Sequence, residues 1–190
     1  MKKTLVILAV LLAIFALASC KQEPKEEAKP DGTPVVENGG VITVGVGEGA
    51  EWNSAGRFQF FIDEAVGEYD TIDFLLKMSD AFDKIVVRSD DAAASWPKYA
   101  TVTVTSDMLN EDGWYVISDV TASVASDTLG FSAMLKEGET QNETLSVQIK
   151  NLKINGKLID FSAYAEDAES YVLPFAGALA PSKITATIEK

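Results

Sequence analysis

The chain contains no histidine. That removes the commonest general base near neutral pH, the Ser-His and Cys-His nucleophile pairs, and histidine-containing zinc sites. Any enzyme built on this chain would have to work with carboxylates, lysine, tyrosine or serine. Cysteine is nearly absent as well: Cys20 stands alone, so no disulfide forms within one molecule. Even at an exported, oxidising address the fold must then stand on its core. Positive charge is scarce, with 16 lysines and arginines against 29 aspartates and glutamates. Such a surface repels phosphate backbones and anionic headgroups, so nucleic acid is not expected as a partner.

What the chain does have begins at its first residue. Lys2 and Lys3 precede an unbroken apolar run of thirteen residues, Leu5 to Leu17, and Ala18, Ser19 and Cys20 follow. The run is too short for a comfortable membrane span and ends in small residues, so it reads as a secretory signal. The tetrapeptide Leu17-Ala18-Ser19-Cys20 resembles the lipobox of bacterial lipoproteins. The resemblance implies a signal peptide over residues 1–19, diacylglycerol on the Cys20 sulfur, and an N-acyl lipid on the new terminus. It also implies a membrane contact made through those acyl chains, which anchor stably when two or more are present. Lys21, where an inner-membrane retention signal would carry aspartate, points to the outer membrane or cell surface. The alternative is an ordinary secretory signal with an incidental cysteine. Losing Lys2 and Lys3 with the leader leaves 14 basic side chains against the 29 acidic ones, a net charge of about −15.

Residues 20–39 read as the lipidated cysteine and a flexible tether. Lys21 to Asn38 holds three of the six prolines, a Lys25-Glu26-Glu27 charge run, and almost nothing apolar before Val35. It cannot bury enough surface to order itself. Fully stretched, these eighteen residues reach about 60 Å at roughly 3.3 Å per residue.

Residues 40–190 read as one domain, and their dominant period is two. In Ile72 to Ser79 the even positions are all apolar; Phe58, Phe60 and Ile62 alternate with polar neighbours, Phe61 excepted; Lys183 to Ile188 alternates cleanly. Half-buried strands with one wet face have this pattern. Val41–Val46, Phe82–Arg88, Thr101–Thr105, Trp114–Val120, Thr128–Leu135 and Leu145–Ile154 are further candidates. Ile62, Ala65, Val66, Tyr69, Ile72 and Leu76 would also line a helix face. Gly67 and the alternation after Asp70 favour two strands joined by a turn instead. Asn155-Gly156 between two apolar runs predicts a type I′ hairpin. The parity slip at Lys150-Asn151 predicts a β-bulge that keeps both halves of that strand facing the core. Nine or ten short strands without long helices predict an all-β, two-sheet antiparallel sandwich, jelly-roll-like. Residues 165–170 read as one helical turn or a loop.

The candidate site residues are aromatic. Trp52 lies in a glycine-rich connection; Trp96 precedes Pro97 in another expected loop, with Tyr99 just beyond. An indole on a loop is a platform for a sugar ring, and nearby Asp, Asn or Gln bond its hydroxyls. The competing reading is that each indole plugs a sheet end. Trp114, opening a strand, is expected in the core. The order of events resembles the jelly-roll carbohydrate-binding modules of the galactose-binding-like type. The residues that carry it are the early strand pair (Arg57–Ile62, Ile72–Met78), Lys84-Ile85-Val86-Val87, Trp96-Pro97-x-Tyr99, Trp114-Tyr115, and a late strand from Leu145 to Gly156. Lys150 stands where those modules often carry aspartate. The resemblance implies sugar binding by Trp52, Trp96 or Tyr99.

The acidic clusters Asp63-Glu64, Glu68/Asp70/Asp73, Asp90-Asp91 and Glu166-Asp167/Glu169 offer oxygen ligands of the kind calcium takes, though none has calcium-loop spacing. No metal site or catalytic residue is assigned from them. The sequence thus predicts an envelope-anchored lipoprotein with a non-catalytic binding domain, for carbohydrate. Its rival is a structural or protein-interaction lipoprotein, an adhesin or assembly factor that meets another envelope protein and binds no sugar.

Overall fold

A computed structural model describes residues 39–52, 56–164, 171–174 and 180–190. The leader, Cys20, the tether to residue 38 and the 165–170 segment lie outside the described residues. Eleven strands run through what is described: β1 (Val41–Val46), β2 (Arg57–Ile62), β3 (Thr71–Met78), β4 (Phe82–Ser89), β5 (Lys98–Thr103), β6 (Tyr115–Thr121), β7 (Leu129–Leu135), β8 (Ser146–Ile154), β9 (Lys157–Leu158), β10 (Val172–Pro174) and β11 (Ile184–Glu189). They form two antiparallel sheets, and the expected sandwich is the fold. One sheet has the order β11-β1-β8-β3-β6, with β9 attached to β8; the other has the order β10-β2-β7-β4-β5.

Strand parity explains the sandwich. Ile72, Phe74 and Leu76 of β3 are buried, as are Phe58, Phe60 and Ile62 of β2, and the two sets meet between the sheets. Phe74 from one sheet stands edge-on to Phe131 of β7 in the other, with ring centres 5.3 Å apart, and Phe131 stacks on Phe60 at 5.6 Å. Burying such a side chain is worth about 1.5–3 kcal/mol, and a well-placed ring pair adds about 0.5–1.5 kcal/mol. These contacts hold the layers together in a chain with no disulfide.

The predicted bulge on β8 is present. Phe74 of β3 is opposed by both Asn151 and Leu152, and Asn151 takes the extra residue's place at φ +52°. A second bulge lies across β3 on β6, where Ser118 and Asp119 together oppose Asp73 and Asp119 has φ +59°. The spare Asp119 N–H donates to the Asp73 carboxylate at 2.8 Å. The hairpin turn is also as predicted: Asn155 and Gly156 have φ +51° and +72°, between paired Ile154 and Lys157.

β2 and β3 flank a turn near Gly67, as expected, and the structure adds that they lie in different sheets: β2 belongs to the five-stranded sheet and β3 to the six-stranded one. The turn is a crossing between layers. Its residues are held by Val66 pairing with Ser126 and by the Tyr69 N–H donating to the Ala122 carbonyl at 2.8 Å.

Candidate functional site

The β4–β5 connection is built around Asp91. Its Oδ1 accepts from the N–H groups of Ala93 and Ala94 at 2.8 and 3.2 Å, and its carbonyl accepts from the Trp96 N–H at 2.8 Å. Asp favours such side-chain-to-backbone turns. Ser95 and Trp96 are then both left-handed, at φ +62° and +51°. That conformation costs a residue with a Cβ roughly 1–2 kcal/mol, so two in succession persist only when the surroundings fix them. Arg88, the penultimate residue of β4, supplies part of the fixing. It is 7% exposed, and its Nη2 donates to the Trp96 carbonyl at 2.8 Å. Burial holds the Arg88 guanidinium below its ordinary pKa, with the Arg57 charge adding to the effect. The result is an indole 43% exposed on a bolted loop.

Asp91 also lines a cleft of about 520 Å³ between the Val66-Gly67 turn and Asp90-Asp91, with Ser126 and Asp127 on the far wall; Trp96 and Tyr99 are not among its lining residues. The Ser126 hydroxyl donates to Asp90 Oδ1 at 2.8 Å. Tyr99 lies at the edge of this group; its hydroxyl donates to the Val124 carbonyl at 2.9 Å. Burial raises the Tyr99 phenol above its usual pKa, hydrogen bonds with Ser89 and Ser126 pull the other way, and the charges of Asp90 and Asp91 push it up again. An exposed ring on the loop that Asp91 organises can stack on a sugar face, and the carboxylates of that cleft can take hydroxyl protons in hydrogen bonds.

The structure brings Trp96 and Tyr99 to this end and leaves Trp52 at the other. The Trp52 ring sits 6.3 Å from Phe58, tilted by 46°, packed against the core. Phe58 stacks on Phe82 at the start of β4, whereas Trp96 is tied to Arg88 near that strand's end. The six steps between Phe82 and Arg88 span about 20 Å at roughly 3.3 Å per residue. Trp52 and Trp96 therefore do not form one site. Trp52 Nε1 is buried without a hydrogen-bond partner among the described residues, which is the geometry of a plug.

Trp114 is buried as expected, only 8% exposed, but it packs outside the main hydrophobic cluster. Leu76 of β3 faces inward and pairs with Tyr115, so the next pair outward along the strands sets Trp114 beside Lys77 on the outer face of the six-stranded sheet. Lys77 Nζ lies 4.5 Å from the indole centre and Lys150 Nζ 5.9 Å from it. Asn110 positions the ring: its Oδ1 accepts from the Trp114 N–H at 2.9 Å, and its own N–H donates to the Trp114 carbonyl at 2.9 Å.

Most acidic clusters turn out to organise turns. Asp70 accepts from the Gly67 N–H at 2.7 Å and Asp73 from that of Asp119, while Glu64 accepts from the Tyr164 hydroxyl. No group of three or more metal-ligating side chains gathers among the described residues. Glu166, Asp167 and Glu169 lie outside the described residues. No family model matches the chain, and neither the curated proteins nor the solved structures give a match.

Proposed function

We propose that this chain is a lipid-anchored envelope protein whose sandwich is a non-catalytic binding domain for carbohydrate, presented at the outer membrane or cell surface through acylated Cys20. The observation that carries the ligand reading is the Trp96 loop. A large apolar ring is held exposed, in a backbone conformation that costs free energy, by a buried arginine whose Nη2 donates to the ring residue's own carbonyl. Strain of that kind, fixed by its surroundings, is characteristic of sites that meet a ligand. The neighbouring Asp90, Asp91 and Asp127 supply acceptors for hydroxyls.

The rival reading draws on a different feature. β5 closes the five-stranded sheet as an edge, and its Lys98, Thr101 and Thr103 are exposed. An open edge is a place where another protein adds a strand.

One experiment separates the two. The full chain, purified in neutral detergent, is titrated with a panel of neutral and acidic polysaccharides while tryptophan fluorescence is followed. A shift with one of them that Trp96→Ala abolishes supports the sugar reading. No shift with any of them moves the function to protein contact. The mass of the native mature chain tests the anchor independently, since an unmodified Cys20 would remove it.

A further inference from the structure

We propose that the outer face of the six-stranded sheet around Trp114 is a second binding site, one that takes an acidic polysaccharide and receives its carboxylates on Lys77 and Lys150. This site is distinct from the Trp96 loop, which belongs to the other sheet.

The register lays out the face as two rows. In the first, Thr187, Thr43, Gln148 and Lys77 lie side by side across β11, β1, β8 and β3, and Trp114 ends the row beyond β3. In the second, Glu189, Val41, Lys150, Leu75 and Val116 lie side by side across β11, β1, β8, β3 and β6, with the Glu189 carboxylate two strands away from Lys150. Adjacent strands are about 4.8 Å apart, so the first row crosses roughly 19 Å, the scale of a short stretch of linear polymer. A cleft of about 510 Å³ adjoins its Trp114 end, lined by Lys77, Gln148, Ser146 and Leu109 and carrying one acid, Asp80.

Charge says what would lie there. In a mature chain of about −15, cations are few, and Lys77 and Lys150 are drawn to one indole within about 10 Å of each other. Among the described residues Lys84 and Asp83 form an ion pair, but neither Lys77 nor Lys150 has a carboxylate partner. Asp73, the acid of β3 that shares their face, already holds the Asp119 N–H. Two ammonium groups held at one indole and without an ion-pair partner among the described residues fit an anionic occupant. The rest of the row fits hydroxyls. Gln148 Nε2 donates to Thr43 Oγ1 at 3.0 Å, which leaves the Gln148 carbonyl to accept and the Thr43 hydroxyl to donate outward. Val116, 44% exposed, and the half-buried Leu75 give apolar contact without a continuous patch of the kind a stable protein interface needs. A chain of hydroxyl-rich rings bearing carboxylates satisfies the cations, the polar row and the scattered apolar positions together.

The test uses the full chain in neutral detergent at low ionic strength, with polygalacturonate as the probe. Its fully methyl-esterified form and polyglutamate serve as comparison ligands. The expected result is binding of polygalacturonate, weakened about tenfold or more by esterification, by Lys77→Gln/Lys150→Gln, or by raised salt. The lysine variants leave the Trp96 loop intact, so polysaccharide binding that is abolished by Trp96→Ala but not by Lys77→Gln/Lys150→Gln belongs to the Trp96 reading, and failure of this site and failure of that reading are told apart. If the double variant loses its native near-UV spectrum, Lys150→Gln alone takes its place. The proposal is overturned if polygalacturonate does not bind, if the ester or polyglutamate binds equally well, or if the folded lysine variant binds like the parent.

Discussion

Asn155 and Asp70, eighty-five residues apart, are joined side chain to side chain: Asn155 Nδ2 donates to Asp70 Oδ1 at 2.6 Å. Asn155 Oδ1 accepts from the Thr71 N–H at 3.0 Å, while Asp70 Oδ2 accepts from the Gly67 N–H at 2.7 Å. The hairpin turn at the end of β8 is thereby tied to the crossing that carries the chain from one sheet to the other. Asn155→Gly keeps the left-handed turn and removes only the side-chain bonds. It should cost about 1–2 kcal/mol in a urea melt. Asn155→Ala should cost more, because it adds the left-handed penalty of roughly 1 kcal/mol. In a double-mutant cycle with Asp70→Ala the two changes should be sub-additive. Full additivity would show that the tie contributes nothing.

Gly130 of β7 leaves no room for a side chain between Phe61 and Arg88. A Cβ there would sit 2.6 Å from Phe61 Cε1 and 2.9 Å from Arg88 Cγ. Neither neighbour is a free side-chain end, since Phe61 is buried and Arg88 is committed to the Trp96 carbonyl. Gly130→Ala should therefore destabilise by about 1–3 kcal/mol, the usual cost of forcing an extra carbon into a packed site. It should also disturb the Trp96 loop, because the group displaced is the one that holds it. Proteolysis of the native protein would show this as earlier cleavage near residues 92–96. A variant as stable and as protease-resistant as the parent would mean that Phe61 swings clear without cost.

These particulars show what the sequence could and could not say. Strands were legible wherever one face is apolar and the other polar, as in β3 and β11, because parity alone assigns the faces. The Lys150-Asn151 slip and the Asn155-Gly156 turn were legible for the same local reason. Trp114 was not. In Trp114-Tyr115-Val116-Ile117 both parities are apolar, so nothing local tells that Tyr115 and Ile117 face the core and Trp114 and Val116 the outside. Pairing with Leu76 decides it, and pairing is a long-range fact. For the same reason the Gly67 turn was readable as a turn but not as a passage between sheets. Of the site residues, Trp96's place on a loop was readable from Pro97. Its tie to Arg88 was not, since an arginine ending a strand usually reaches solvent.

The tyrosines set how the fold should respond to alkali. Burial raises the Tyr164 phenol well above its usual range, helped by its hydrogen bond to Glu64 and by the charges of Glu64, Asp63 and Tyr171; Tyr99 is raised chiefly by burial. In the unfolded chain both ionise near pH 10, whereas in the folded chain they keep their protons to higher pH. Below about pH 10 both states hold the proton and the stabilisation is fully present. Above it the unfolded state binds fewer protons than the native one, so unfolding becomes easier as pH rises. The slope cannot exceed about 1.4 kcal/mol per pH unit for each phenol, and partial exposure keeps it below that ceiling. Urea midpoints measured from about pH 8 to about pH 11 should fall more steeply for the parent than for Tyr164→Phe or Tyr99→Phe. The phenylalanine variants should begin less stable and converge on the parent at the alkaline end. Parallel curves would mean that these phenols ionise in the folded protein as they do in the unfolded chain, and that the Tyr164–Glu64 bond leaves no mark on stability.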